Sequence, residues 1–206
     1  MQQPSPPAPL DLVAVPGNEA SWSDVQTVFG MRGGPAACSC QRFKVPGREH
    51  WEAPPEQLRA RFRMENDWGN PSAATTAGLV GYLDGQPVGW VAVEPRNAYP
   101  FLKRQRLAPK ERGESLADPG VWSITCFVTR AGYRRQGVSS AMLTAAVAHA
   151  RARGAAAIEG YPMLVEPGVD VPWGETHVGV ARQFAREGFT EVAHPTLRRL
   201  VMRLEL

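Results

Sequence analysis

Trp122-Ser123-Ile124-Thr125-Cys126-Phe127-Val128 is followed, after a short gap, by Tyr133-Arg134-Arg135-Gln136-Gly137-Val138-Ser139-Ser140 and then by an alanine-rich run over 141–151. The first run is β-branched and aromatic, as strands are. The last is helical in pattern: Val138, Met142, Ala145 and His149 recur three or four apart, and Ala141, Leu143, Val147 and Ala148 widen the apolar stripe. Its many alanines allow it to lie close on a sheet. Arg151 and Arg153 occupy the last turn, where cations suit the helix dipole, and Gly154 is a natural stop. Between strand and helix stands a basic, glycine-containing corner. Such a corner presents backbone N–H groups that the helix cannot pair internally, and the dipole adds positive potential. The corner therefore predicts a cradle for a phosphate-bearing cofactor, with a pyrophosphate at the head of the helix.

The spacing narrows the cofactor. A dinucleotide fold would carry Gly-x-Gly-x-x-Gly, and a nucleotide triphosphatase a second glycine followed by Lys-Ser or Lys-Thr. Neither is present. Arg134-x-x-Gly137-x-Ser139 resembles the coenzyme A signature of the GNAT (GCN5-related) N-acetyltransferases, Arg/Gln-x-x-Gly-x-Gly/Ala, which joins the fourth strand of that family to its third helix. Ser139 departs from the usual last residue but is still small. Two later landmarks fall in the family's order. The short apolar run 155–161 reads as a buried strand, and 179–189 reads as a helix ending in Gly188-Phe189, followed by Thr190-Glu191-Val192 as a strand entry. The resemblance covers about half of the chain, from Leu79 onward with one gap.

The resemblance implies a mixed α/β domain: a mostly antiparallel sheet of about six or seven strands, helices on both faces, and a V-shaped opening after Val128. It implies acetyl-CoA as cofactor. The pantetheine arm would pair with the strand backbone at Phe127 and Val128. The pyrophosphate would be held by the backbone of Arg135, Gln136, Gly137, Val138, Ser139 and Ser140, with Arg134 adding charge. His177 falls where many members carry an asparagine near the cofactor arm. At Phe184 the family often has a tyrosine as general acid, and this chain has no hydroxyl there.

Amine acetylation needs a held thioester, a polarised carbonyl, a deprotonated amine and a proton for the departing thiolate. Two carboxylates at strand ends are candidates for the general base, Glu94 and Glu159. Tyr161 is the candidate acid, with a pocket water as the favoured source of the proton. The leading expectation is an acetyl-CoA-dependent N-acetyltransferase acting on a small-molecule amine or a peptide amine. Phe184 keeps a second reading alive, an acyl-CoA-binding sensory or structural module with little turnover. A third is a partner-binding domain that uses the long loops and exposed tryptophans.

Composition bounds these readings. The chain has 206 residues and 43% hydrophobic content, enough for one domain over 10–206 behind a disordered, proline-rich tail at 1–9. A net charge of +3 without a long basic run gives no sign of nucleic acid and suits an anionic cofactor. No apolar run reaches membrane-spanning length and the start lacks a signal pattern, so a cytoplasmic protein with no membrane partner is expected; a homodimer is compatible. Cys38, Cys40 and Cys126 make no disulfide framework. Cys38, Cys40 and His50 fall short of the four ligands of tetrahedral zinc, so no metal is expected, and the thiols read as small hydrophobes with Cys126 in the core.

The remaining chain reads as a first strand at 10–15, a helix opening at Ser21, and a long loop over 31–53. A helix follows from Glu56 behind Pro54-Pro55, then a hairpin of strands 77–83 and 87–93 across Asp84-Gly85. A second long irregular segment spans 95–120, and both long segments are assigned to the acceptor side.

Overall fold

Asp84 and Gly85 both adopt left-handed backbone conformations, with φ of 49° and 72°. That is the geometry of a tight two-residue hairpin turn whose twist matches its strands. It joins β2 (Gly78–Leu83) to β3 (Gln86–Pro95) at the heart of the sheet in a computed structural model that describes residues 10–102, 114–166 and 168–206. The other strands are β1 (Val13–Pro16), β4 (Val121–Thr129), β5 (Ala157–Gly160), β6 (Thr190–Thr196) and β7 (Arg199–Glu205). The seven strands lie in the order β1-β2-β3-β4-β5-β7-β6. Every neighbouring pair is antiparallel except β4 with β5, which are parallel. That single parallel step requires a crossover, and helix α5 (Val138–Ala152) supplies it.

Alternate residues of each strand feed two cores. Leu79, Val91 and Val93 face α5, with Met142, Leu143, Ala146 and Val147 buried against them. Val80, Trp90 and Ala92 face the other way, toward α1 (Trp22–Phe29) and α4 (Pro55–Met64), where Trp22, Phe29, Phe62, Trp68 and Trp90 form an edge-to-face aromatic cluster. Helices thus cover both faces. The alanines of α5 explain only part of its close seating. Gly81 and Gly89 are paired across β2 and β3 directly beneath it, and a Cβ on Gly89 would come 2.9 Å from Val138.

Several boundaries differ from expectation. The first strand starts three residues later than predicted, because Leu10 and Leu12 pack on the α5 side instead of joining the sheet. The segment read as a loop over 31–53 holds two short helices, α2 (Gly34–Cys38) and α3 (Gly47–Glu52). Their glycines and prolines sit at helix starts, with Pro35 in the first turn of α2 and Pro46 before α3. The helix read over 179–189 is helical only in α7 (Ala181–Arg186), because Val180 bridges to Met163 in extended geometry. The 95–120 segment carries a 3₁₀ turn at Arg96–Ala98. The proline-rich tail and residues 103–113 lie outside the described residues.

The V opens earlier than predicted. Pairing of β4 with β5 stops at Ile124 opposite Gly160, so the strands part before Thr125 rather than after Val128. The wedge is Phe184: its ring packs straight onto Gly160, where any Cβ would collide with it, and stands edge-on to Phe127 at 6.1 Å. The same stretch of β4 carries a bulge, with Thr125 the extra residue between Ile124 and Cys126, whose partners Val93 and Ala92 are consecutive. Among the described residues, no helix is long and apolar enough to cross a membrane.

Candidate active site

β4 runs straight into the predicted cradle. The corner over 130–137 is pinned by Tyr133 N–H donating to the Arg130 carbonyl and by the Gln136 side-chain Nε2 donating to the Gly132 carbonyl. Arg135 and Gly137 take left-handed conformations with φ of 61° and 90°, and α5 starts without a side-chain cap. Around Gly137 a Cβ would project into open space. The N–H groups of Arg135, Gln136, Gly137, Val138 and Ser139 have no acceptor among the described residues, whereas Ser140 N–H is bonded to the Gly137 carbonyl at 3.0 Å. The donor set is therefore one residue shorter than predicted, because the first turn of α5 tightens on itself. These groups open on a cavity of about 400 Å³ that Arg134, Arg135, Arg182 and Arg186 share. Among the described residues no carboxylate lines it. A second cavity of about 770 Å³ continues past Arg135 and Ser140 along the small residues Ala141, Ala145 and Ala148. The free amides, the open approach at Gly137 and the unneutralised guanidinium groups fit a polyphosphate ester.

The edge of β4 that the split frees is partly taken. Phe127 N–H donates to the His177 carbonyl at 2.5 Å, and the Trp173 indole N–H donates to the Phe127 carbonyl at 2.9 Å. Both partners belong to a strap, residues 168–180, that carries the short helix α6 (Trp173–Thr176). Beside it a cavity of about 290 Å³ runs from Arg134 and Ser139 past Thr129 to Phe127 and Trp173. The His177 ring is buried near Phe43 and Trp173, its Nδ1 3.1 Å from the Gly174 carbonyl and its Nε2 without a partner. Burial, with Arg42 and Arg199 nearby, pushes its pKa down to about 3, so the imidazole is neutral. Val128 faces the aromatic core with its side chain.

The candidate catalytic residues separate by environment. Glu94 closes β3 opposite Ser123 and keeps 15% of its side chain exposed. It is 2.5 Å from Lys44, whose ammonium also reaches Glu65 at 3.1 Å and lies 5.4 Å from the Tyr99 ring centroid. Burial holds the Glu94 carboxyl above the ordinary range, and Lys44 offsets this only in part. Lys44 itself is lowered by burial but lifted further by Glu94 and Glu65, so it stays charged. Glu159 is fully buried and bound by Arg96 at 3.1 Å and Arg203 at 3.3 Å. Tyr161 is fully buried, its hydroxyl 2.8 Å from Ser123 Oγ and 3.4 Å from Glu159; burial and then Glu159 push its pKa up. The structure thus brings Glu159 and Tyr161 into one buried network and leaves Glu94 outside it, partly exposed and paired with Lys44.

Cys40 and Cys126 are buried in the aromatic core. Cys38 Sγ lies 3.4 Å from His50 Nε2, and burial pushes its thiol up to about 11, which keeps it an unreactive thiol. Lys44, Arg96, Arg203, Trp173, Arg182 and Arg186 were not singled out from the sequence. Their partners are tens of residues away, and only the i, i+4 spacing of Arg182 and Arg186 marks two cations on one helical face.

The fold has clear relatives. A GCN5-related N-acetyltransferase from Kribbella flavida superposes with a TM-score of 0.55 at 18% identity, covering 95% of this chain and 98% of that one. An N-acetyltransferase from Staphylococcus aureus Mu50 superposes with a TM-score of 0.53 at 10% identity, covering 95% and 98%. Among curated proteins the sequence has no match. The sequence profile of the acetyltransferase (GNAT) family matches residues 43–161, more than half of the chain and inclusive of the cradle. The chain belongs to the GNAT acetyltransferase family.

Proposed function

We propose that residues 10–206 act as one domain, a cytoplasmic N-acetyltransferase that uses acetyl-CoA and accepts the amine of a small molecule or peptide. The observation that carries this reading is the strand–corner–helix cradle, with free amides from Arg135 to Ser139 beside the edge of β4 that β5 leaves uncovered. Acetyl-CoA, when bound, supplies an activated acetyl thioester. The amides and Arg134 would hold its diphosphate, and the edge of β4 at Phe127 and Val128 would align its pantetheine arm. His177 and Trp173 must then release Phe127, since each of its backbone groups already has a partner.

Glu94 is the residue we assign to proton acceptance from the amine. It is the one of the three candidates that is not fully buried, and its raised pKa brings a carboxylate nearer to the proton it must take. Glu159 and Tyr161, closed off with Ser123, Arg96 and Arg203, position the end of β4 and touch no acceptor. Phe184 is fully buried as the wedge of the split, so no side-chain acid stands there. Water supplies the proton to the thiolate, which leaves readily because a thiol pKa is about 8.5.

Phe184 also favours the second reading, an acyl-CoA-binding module without turnover. The two separate when the protein is incubated with acetyl-CoA and a broad amine panel and free thiol is followed. Amine-dependent thiol release supports the enzyme; tight CoA binding with no release for any amine supports the binding module.

A further inference from the structure

The cradle holds more positive charge than a diphosphate requires. Five free amides and the head of α5 already serve one anionic group, with Arg134 and Arg135 beside them. Arg182 and Arg186 face the same cavity from α7, one helical turn apart, and neither makes an ion pair among the described residues. Like charges on one helical face repel, so an unneutralised pair that shares its cavity with two more arginines is destabilising in the absence of an anion. A diphosphate diester brings about two negative charges, and a phosphomonoester about 1.5 to 2 more. Four guanidinium groups therefore match a diphosphate together with a monoester.

Arg186 and Arg135 line both this cavity and the larger one that continues along Ala141, Ala145 and Ala148 beneath Leu10 and Leu12. Those alanines and leucines give the second cavity a small-residue apolar wall on which a flat base can lie. Glu187, the carboxylate at its rim, accepts from the Thr144 hydroxyl at 2.8 Å.

Resting on the acetyl-CoA reading above, we propose that Arg182 and Arg186 bind the 3′-phosphate at the nucleotide end of the cofactor and so select CoA over dephospho-CoA. A guanidinium grips a terminal phosphate through two parallel N–H···O bonds, and no such group exists on dephospho-CoA. The roles divide: the amides and the corner arginines hold what the two molecules share, and α7 reads what distinguishes them.

The test is calorimetric titration of the full chain with CoA and with dephospho-CoA at one fixed ionic strength, repeated with the Arg182→Gln/Arg186→Gln double variant. Thermal melting of the variant checks that it folds. The expected result is about tenfold or greater preference for CoA in the wild type. In the variant that preference falls to near unity, with dephospho-CoA affinity held within about twofold. Equal affinities in the wild type would overturn the inference and leave the acetyl-CoA reading standing. So would a variant that weakens both ligands alike, because the arginines would then be acting as general attraction. If neither ligand binds the wild type, both the inference and the reading beneath it fall.

Discussion

Glu94 and Glu159 are the same residue type on β3 and β5, the two strands that flank β4 at Ser123, and their surroundings differ. Glu159 has no exposure and is held by two arginines, one of which, Arg96, is itself buried. Removing one partner of a buried ion pair strands the other charge, so Glu159→Ala is expected to cost about 3–5 kcal/mol of stability. The measurement is denaturant unfolding, alongside CoA titration of the folded protein, which should be unchanged. Glu94→Gln, which leaves Lys44 paired with Glu65, should cost less stability than Glu159→Ala, keep CoA affinity near wild type and lower kcat by about 10²-fold or more. Because burial holds the Glu94 carboxyl above the ordinary range, the wild-type rate should fall as pH drops through that raised pKa, and this limb should vanish in the variant. A pH profile that is the same in both would remove Glu94 from proton transfer. His177 gives a stability prediction of known sign. Its pKa is about 3 in the folded chain against an ordinary 6.5, so the unfolded chain takes up the proton first. Stability is complete above pH 6.5 and is lost as pH falls toward 3, by up to about 1.4 kcal/mol per unit. Denaturant midpoints compared between pH 7 and pH 5 should shift less in His177→Gln than in the wild type.

At the scale of elements, the strap and β4 compete for the same backbone groups. The Phe127 N–H and carbonyl bind His177 and Trp173, and a pantetheine arm laid along β4 would need them. Trp173→Phe removes one hydrogen bond while keeping an aromatic ring, so it should tighten CoA binding by the worth of one such bond, about 1 kcal/mol or roughly fivefold. Weakened binding in that variant would mean that Trp173 contacts the arm and does not obstruct it. The strap also marks where sequence reading ends. α5 was legible because fifteen residues repeat one apolar period, and the β2–β3 hairpin because Asp84-Gly85 has a defined turn geometry. α2, α3 and α6 were not, since helices of four to six residues show barely one turn of any period. β7, in which Arg199 and Arg203 flank the apolar run Leu200-Val201-Met202 beside β5, went unread for a related reason: Arg203 makes sense within a strand only beside Glu159.

At the scale of the whole molecule, one parallel strand pair in an antiparallel sheet creates the site. The β4–α5–β5 crossover puts a helix start at the end of β4, and the Phe184 wedge keeps β5 from covering that strand's edge. The corner motif announced the first of these. The second depends on Gly160 and Phe184, far apart in sequence and joined only by packing, so the place of the split could not be read beforehand. The most direct measurement of the account is calorimetric titration of acetyl-CoA into the wild type and into Gly137→Leu. Gly137 has φ of 90° and open space before it, so a leucine side chain there would stand in the approach to the proposed cradle. The account predicts saturable binding to the wild type and none to a Gly137→Leu variant whose circular dichroism shows the fold intact; equal binding by both proteins would contradict it.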